Sequence, residues 1–183
     1  MSTKYRFQDG DIPHFITLTL VEWIDLFSRE KYKELIIENL KHYQESRGLL
    51  IHAYVIMTNH LHLIVSTDNG SKLENIIRDF KRYTARTIYT ELKNDIRESR
   101  RKWLIRIMVK EGTRSSSNSK FKVWIHENHP VVLVDNFIME QRMKYIHNNP
   151  VKAGICYTPE DYKYSSAGDY AGEKGLLDIV FIE

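Results

Sequence analysis

Two short stretches of this chain hold residues whose types and spacing could do chemistry. In IHAYVIMTNHLHLIVS, residues 51–66, His60 and His62 follow a Thr58-Asn59 turn inside an otherwise apolar run. Residues two apart on a strand share a face and sit about 6.5–7 Å apart along it, so two ring nitrogens can converge on one divalent ion. Two imidazoles leave most of a metal's coordination sphere open, as it must be if the ion is to polarise a substrate oxygen. The second stretch, NFIMEQRMKYIHNN at 136–149, reads as a helix on which Tyr145 and Asn149, four apart, stack on one face. The Asn149 amide oxygen could add a third ligand to His60 and His62. That mixed nitrogen and oxygen set suits Mg²⁺ or Mn²⁺.

Tyr145 is the leading candidate nucleophile, because a phenolate can attack a phosphodiester in line and store the bond as a tyrosine ester. A phenol titrates near ~10, so only about one in a thousand is ionised at pH 7, a deficit of roughly 4 kcal/mol. Metal charge on the phosphate, or a base such as Lys144 or Lys152, could offset it, and the spacing does not choose between them. Tyr83 and Tyr89 remain rivals on spacing alone.

The third feature is electrostatic. From Arg97 to Lys122 the chain carries nine basic residues against two acids, Glu98 and Glu111. Basic side chains neutralise phosphates and aromatic rings stack bases, the pairing that holds single-stranded nucleic acid. The expected DNA contacts are therefore Arg97, Arg100, Arg101, Lys102, Arg106, Lys120 and Lys122, interleaved with Trp103 and Trp124. The tip of this insertion, RSSSNSK, should be mobile.

The elements that must position these groups follow from periodicity. HFITLTLV at 14–21 alternates as a half-buried strand. Ser28 stands as an N-cap for a helix that Gly48 stops. Two paired strands, 50–57 and 60–66, come next, and Ser71-Lys-Leu-Glu74 reads as a capping box opening a second helix to about residue 92. FKVWI at 121–125 has the alternation for a fourth strand. The third helix, 136–149, carries Met139, Met143 and Ile146 inward, and Pro150 should end it. The order predicts an α+β fold, the ferredoxin-like or RRM-like split β-α-β sandwich, an antiparallel sheet with helices on one face. We expect one domain over 1–183, with a core at about 14–150, the basic insertion at about 93–120 and a C-terminal wrap at 151–183.

With 183 residues and 42% hydrophobic composition, one sizeable core is expected. The formal net charge of +3, with its basic charge concentrated in one segment, makes nucleic acid a natural partner. Cys156 is the single cysteine, which excludes an intramolecular disulfide framework and a thiolate zinc site. No apolar run is long enough to span a bilayer and the N-terminus has no leader-like apolar region, so the expectation is a cytoplasmic protein with no membrane partner.

The stretch YVIMTNHLHLIV resembles the histidine–hydrophobic–histidine (HUH) motif of the IS200-like Y1 transposases. KYIHNNPVKAG followed by PEDYKYSSA is similar to the C-terminal signature of the REP-associated tyrosine transposases. The resemblance spans about Phe15 to Tyr170. It implies cleavage and joining of single-stranded DNA bearing a short hairpin, with Tyr145 forming a 5′-phosphotyrosine link and leaving a free 3′-hydroxyl. It also implies that His60 and His62 hold the metal, with Asn149 where the family's Gln or Asn assists. Thr58 departs from the proline that many relatives carry, which bears on turn rigidity, and the 93–120 insertion puts transfer of DNA contacts there in doubt. Two other readings compete: a DNA- or RNA-binding regulator on the same fold with vestigial chemistry, and a metal-dependent hydrolase using activated water. The sequence leaves monomer and homodimer equally open.

Overall fold

The computed structural model describes residue 7 and residues 11–68, 70–115 and 119–182. The tip of the basic insertion, expected to be mobile, falls partly outside them. β1 (His14–Thr19), β2 (Leu49–Ile56), β3 (His60–Thr67) and a short β4 (Val131–Val132) form one antiparallel sheet in the order β2-β3-β1-β4. With α1 (Glu30–Arg47) between β1 and β2 and α2 (Leu73–Asn94) after β3, this is the expected α+β split β-α-β sandwich.

Alternation along β3 assigns its two faces. Leu61, Leu63 and Val65 are fully buried on one side together with Ile16 and Leu18 of β1. α1 packs on β2 and on α2, where Tyr43 meets Phe80 edge-on. His60 and His62 point to the other side, where α4 (Asn136–Lys152) packs against β2 and β3. α4 thus covers the second face, so the helices do not all lie on one face as expected. The small side chains of Ala53 and Val55, opposite Ile64 and His62, let that helix approach closely.

Several local expectations are corrected. α1 is stopped by Gly48 as foreseen, at φ 65°, where a Cβ would run into Asp68. Its N-cap, however, is Arg29, because Ser28 sits in a preceding 3-10 turn and its hydroxyl accepts from Arg100. The capping box at 71–74 does not form either. Lys72 is the N-cap of α2, and the Ser71 carbonyl is taken by the Thr67 hydroxyl.

FKVWI is not a regular strand. It runs beside β1's continuation, with Val21 N–H donating to Val123 O at 2.9 Å and Ile125 N–H to Thr19 O at 2.8 Å, and only Leu20 and Trp124 form a bridge. The ladder is interrupted by His129 at φ 46° and by Pro130, which has no N–H, before β4 resumes against His14 and Phe15. Lys81 bolts this irregular edge to α2, donating to Ile125 O, His126 O and Asn128 Oδ1. Burial lowers that lysine's pKa to about 8.

The insertion folds as α3 (Arg101–Arg114), with Leu104, Met108 and Gly112 inward. A Cβ at Gly112 would lie 2.5 Å from the Phe121 backbone, so glycine permits the chain at 119–121 to cross the helix. Pro150 lies inside α4 and does not end it. Near a C-terminus its missing N–H forfeits a single bond, and Ala153 N–H to Asn149 O and Ile155 N–H to Pro150 O close the last turn. The C-terminal segment then shields the outer edge of β2: Ile56 N–H donates to Tyr164 O, Ser166 N–H to Tyr54 O and Val180 N–H to Ile51 O.

Candidate active site

His60 and His62 emerge from the first turn of β3 with ring centroids 4.7 Å apart, closer than their backbone spacing, so the rings converge. In each, the Nδ1 nitrogen is held by a neighbouring side chain. Asn59 donates its amide to Trp23 O at 3.3 Å, which turns its Oδ1 to His60 Nδ1 at 2.6 Å. An oxygen there demands that Nδ1 carry the proton, leaving the Nε2 lone pair of His60 for a ligand. His62 Nδ1 lies 2.8 Å from Thr17 Oγ1, on the strand directly opposite. Burial lowers the pKa of both histidines. His62, further disfavoured as a cation by His60 and by Arg142, is pushed down to about 3. Both imidazoles are therefore neutral at neutral pH, the form that ligates metal.

Tyr145 reaches this pair from α4. Its hydroxyl is 3.4 Å from His62 Nε2 and its ring stands edge-on to His62 at 5.1 Å. Both partners of His62 are hydroxyls, which donate or accept, so either tautomer satisfies the two contacts. Phe15 stacks on His62 at 5.3 Å and meets Tyr145 edge-on, while the Arg142 guanidinium lies over Phe15 at 4.9 Å. Tyr145 keeps 38% of its surface exposed. Beside it opens a depression of about 380 Å³ lined by Arg142, Lys144, Lys152 and Asn148. Lys144 is paired with Glu140 at 2.6 Å, whereas Lys152 sits 5.8 Å over the Tyr145 ring. Asn149 follows one turn on, half-buried, with its backbone carbonyl closing the helix. Among the described residues no group of three or more His, Cys, Asp or Glu assembles into a metal site. A divalent ion here would thus rest on two neutral imidazoles and amide, water or phosphate oxygens, a donor set that fits Mg²⁺ or Mn²⁺.

α4 is held over the sheet by His147, whose Nε2 is 2.9 Å from the Ser166 hydroxyl, which also accepts from Tyr54 N–H of β2 at 3.0 Å. Burial takes the His147 pKa down to about 4.

The IS200-like transposase family matches residues 14–149, well over half of the chain. The chain belongs to that family. Among solved structures it is similar to a REP-associated tyrosine transposase bound to a REP hairpin, with a TM-score of 0.66 at 16% identity over 100% of this chain and 96% of that one. It is also similar to a protein from Deinococcus radiodurans R1 assigned as a transposase, with a TM-score of 0.47 at 14% identity over 80% of this chain and 97% of that one. A comparison with curated proteins finds no match.

The nucleic-acid contacts expected for this transposase divide on inspection. Lys102 and Arg106 are exposed at successive turns of α3, joined by Lys110; Trp103 is 49% exposed, and Arg97 and Lys120 are also exposed. Lys122 is half-buried beside Phe121, and half-buried Arg101 donates to Lys93 O. Two expectations are overturned. Trp124 is 4% exposed, packed on Phe27 with its indole N–H given to Thr84, so it cannot stack a base. Arg100 is spent on Glu98 and Asp25, anchoring the insertion to the turn before α1. Sequence reasoning missed Thr17, Phe15, Asn59, Arg142 and Trp23 as parts of the site. Thr17 and Phe15 were legible only in principle, through alternation on β1 toward the histidine face. Among the described residues no helix is long and apolar enough to cross a membrane.

Proposed function

We propose that this transposase cleaves and rejoins single-stranded DNA at hairpin-bearing sites through a 5′-phosphotyrosine link to Tyr145. The observation that carries the reading is the Tyr145 hydroxyl at 3.4 Å from His62 Nε2. It joins the candidate nucleophile to the histidine pair across two elements far apart in sequence. The fold neighbour solved with a hairpin supports the ligand class.

In this reading His60 and His62, with the Asn149 amide, hold Mg²⁺ or Mn²⁺. When bound, the ion withdraws charge from the scissile phosphate and so favours attack on phosphorus. The chain's own residues do the rest. Asn59 fixes the His60 tautomer, and Thr17 holds the His62 ring in place. Arg142 and Lys152 draw the phosphate into the depression beside Tyr145 and stabilise negative charge on the phenol oxygen as its proton leaves. That oxygen forms the bond to phosphorus while the bond to the 3′ oxygen breaks, and the departing oxygen takes up a proton to become the 3′-hydroxyl. The reverse attack by a 3′-hydroxyl on the tyrosine ester reseals a strand and frees Tyr145, with no nucleotide hydrolysis because the ester conserves the bond.

The test is incubation with Mg²⁺ or Mn²⁺ and hairpin-bearing single strands labelled at either end, read on a denaturing gel. Wild type should give a slow DNA–protein species that keeps the 3′ label, and Tyr145→Phe should give none. Tight hairpin binding without cleavage under either metal would move the assignment to a regulator, and cleavage without an adduct to a hydrolase.

A further inference from the structure

Beside His60 the backbone does something expensive. Glu22 and Trp23, in the 3-10 turn after β1, both take left-handed conformations, at φ 50° and 52°, which side chains larger than glycine seldom adopt. Such strain persists only where surrounding contacts over-determine it. Here Trp23 N–H donates to Leu20 O, and Trp23 O accepts from the same Asn59 amide group whose oxygen orients His60. The result is a tryptophan pushed outward. Trp23 is 61% exposed, and its ring lies at 68° to that of His60 with centroids 6.1 Å apart. α3, with its outward row of Lys102, Arg106 and Lys110, packs against this same turn. An exposed tryptophan thus lies between the histidine pair and a basic helix.

We propose that Trp23 is a substrate-positioning residue whose indole stacks on the nucleobase adjoining the phosphodiester that Tyr145 attacks. The inference rests on the single-strand reading above. Stacking needs an unpaired base, every base offers a π-face, and a cationic flank draws the backbone on past it. The occupant is therefore an unpaired nucleotide of the strand being cut, taken without strong preference for base identity. By holding that nucleotide, Trp23 sets which phosphate comes to rest over His60 and His62.

Tryptophan emission gives a direct readout. In a Trp103→Phe protein, Trp23 is the exposed emitter and Trp124 is buried. Saturation with a hairpin bearing an unpaired flank should quench that emission, and a fully paired hairpin should not. Trp23→Ala should weaken binding of the flanked hairpin by roughly tenfold to a hundredfold, the range expected for loss of one base stack. Trp23→Phe should stay within a few-fold of wild type, and both variants should melt as wild type does. Unchanged emission on saturation, together with wild-type affinity in Trp23→Ala, would overturn the proposal. Quenching without any tyrosine adduct would uphold stacking and sink the nucleophile reading, so the two failures are distinguishable. Failure of the wild type to bind any single strand overturns both.

Discussion

On the histidine face Phe15, His62 and Tyr145 pack ring against ring around an opening to solvent, whereas in the segment after α3 Trp124 turns its ring inward onto Phe27. Both regions are dense in aromatic and polar residues. They differ in where their hydrogen bonds go. The histidine face leaves Nε2 of His60 uncommitted and a tyrosine hydroxyl on a single long contact, while the segment and the helices beside it commit Trp124 to Thr84, Arg100 at the start of α3 to Glu98 and Asp25, and Lys81 of α2 to three oxygens. Unspent donors and acceptors at a solvent opening distinguish a site from a scaffold, and density of charge does not.

The sharpest way to break this contrast is to exchange the outcomes of substitution. Tyr145→Phe should abolish adduct formation, a loss of at least about a thousandfold in cleavage, with hairpin affinity and melting temperature unchanged. Trp124→Ala should do the opposite. Removing a buried indole costs roughly 3–5 kcal/mol in urea unfolding, with strand affinity preserved in whatever fraction stays folded. If Trp124→Ala instead weakened binding without destabilising, the assignment of that segment as scaffold would fail.

The sheet, its order and the histidine pair were legible because period-two alternation and a two-residue turn are local signals, and His-x-His in a strand fixes a shared face. Tyr145 stood out through Asn149, four residues on and on the same helix face. The rest depended on partners remote in sequence. Ser28 is a good N-cap by type, but Arg100 captures its hydroxyl. FKVWI alternates correctly, yet His129 and Pro130 break the ladder beyond it. Trp124 and Arg100 were misread because composition reports how many bases and rings a segment holds, not which way they point. Trp23 carried no sequence signal, since a left-handed backbone at a tryptophan cannot be read from neighbouring residues.

Smaller effects refine the comparison. Arg100→Ala leaves the Glu98 carboxylate, whose side chain is 2% exposed, with the backbone N–H of residue 100 at 3.0 Å and Arg29 at 3.4 Å. It should cost about 2 kcal/mol of stability in urea unfolding and leave the salt dependence of strand binding alone. Acid should act on the scaffold through His52 and His147, both held below the ordinary histidine range by burial, His147 at about 4. The unfolded chain takes up these protons first as pH falls. Their contribution is therefore fully present above about 6.5 and is lost between there and about 4. Thermal melts from pH 7 down to pH 4 should show a progressive fall, and a flat profile would contradict neutral burial. The least change belongs to Lys102→Ala and Arg106→Ala on α3. Each should lower strand affinity evenly across sequences and reduce the log–log salt slope by about 0.7.

The most direct measurement is to trap the wild-type reaction with a hairpin-bearing strand, digest protein and DNA, and locate the nucleotide-modified residue by mass spectrometry. The account predicts a single modified peptide with the phosphate on Tyr145 and the DNA joined through its 5′ end. A modification on Tyr83 or Tyr89, or a 3′ linkage, would contradict it.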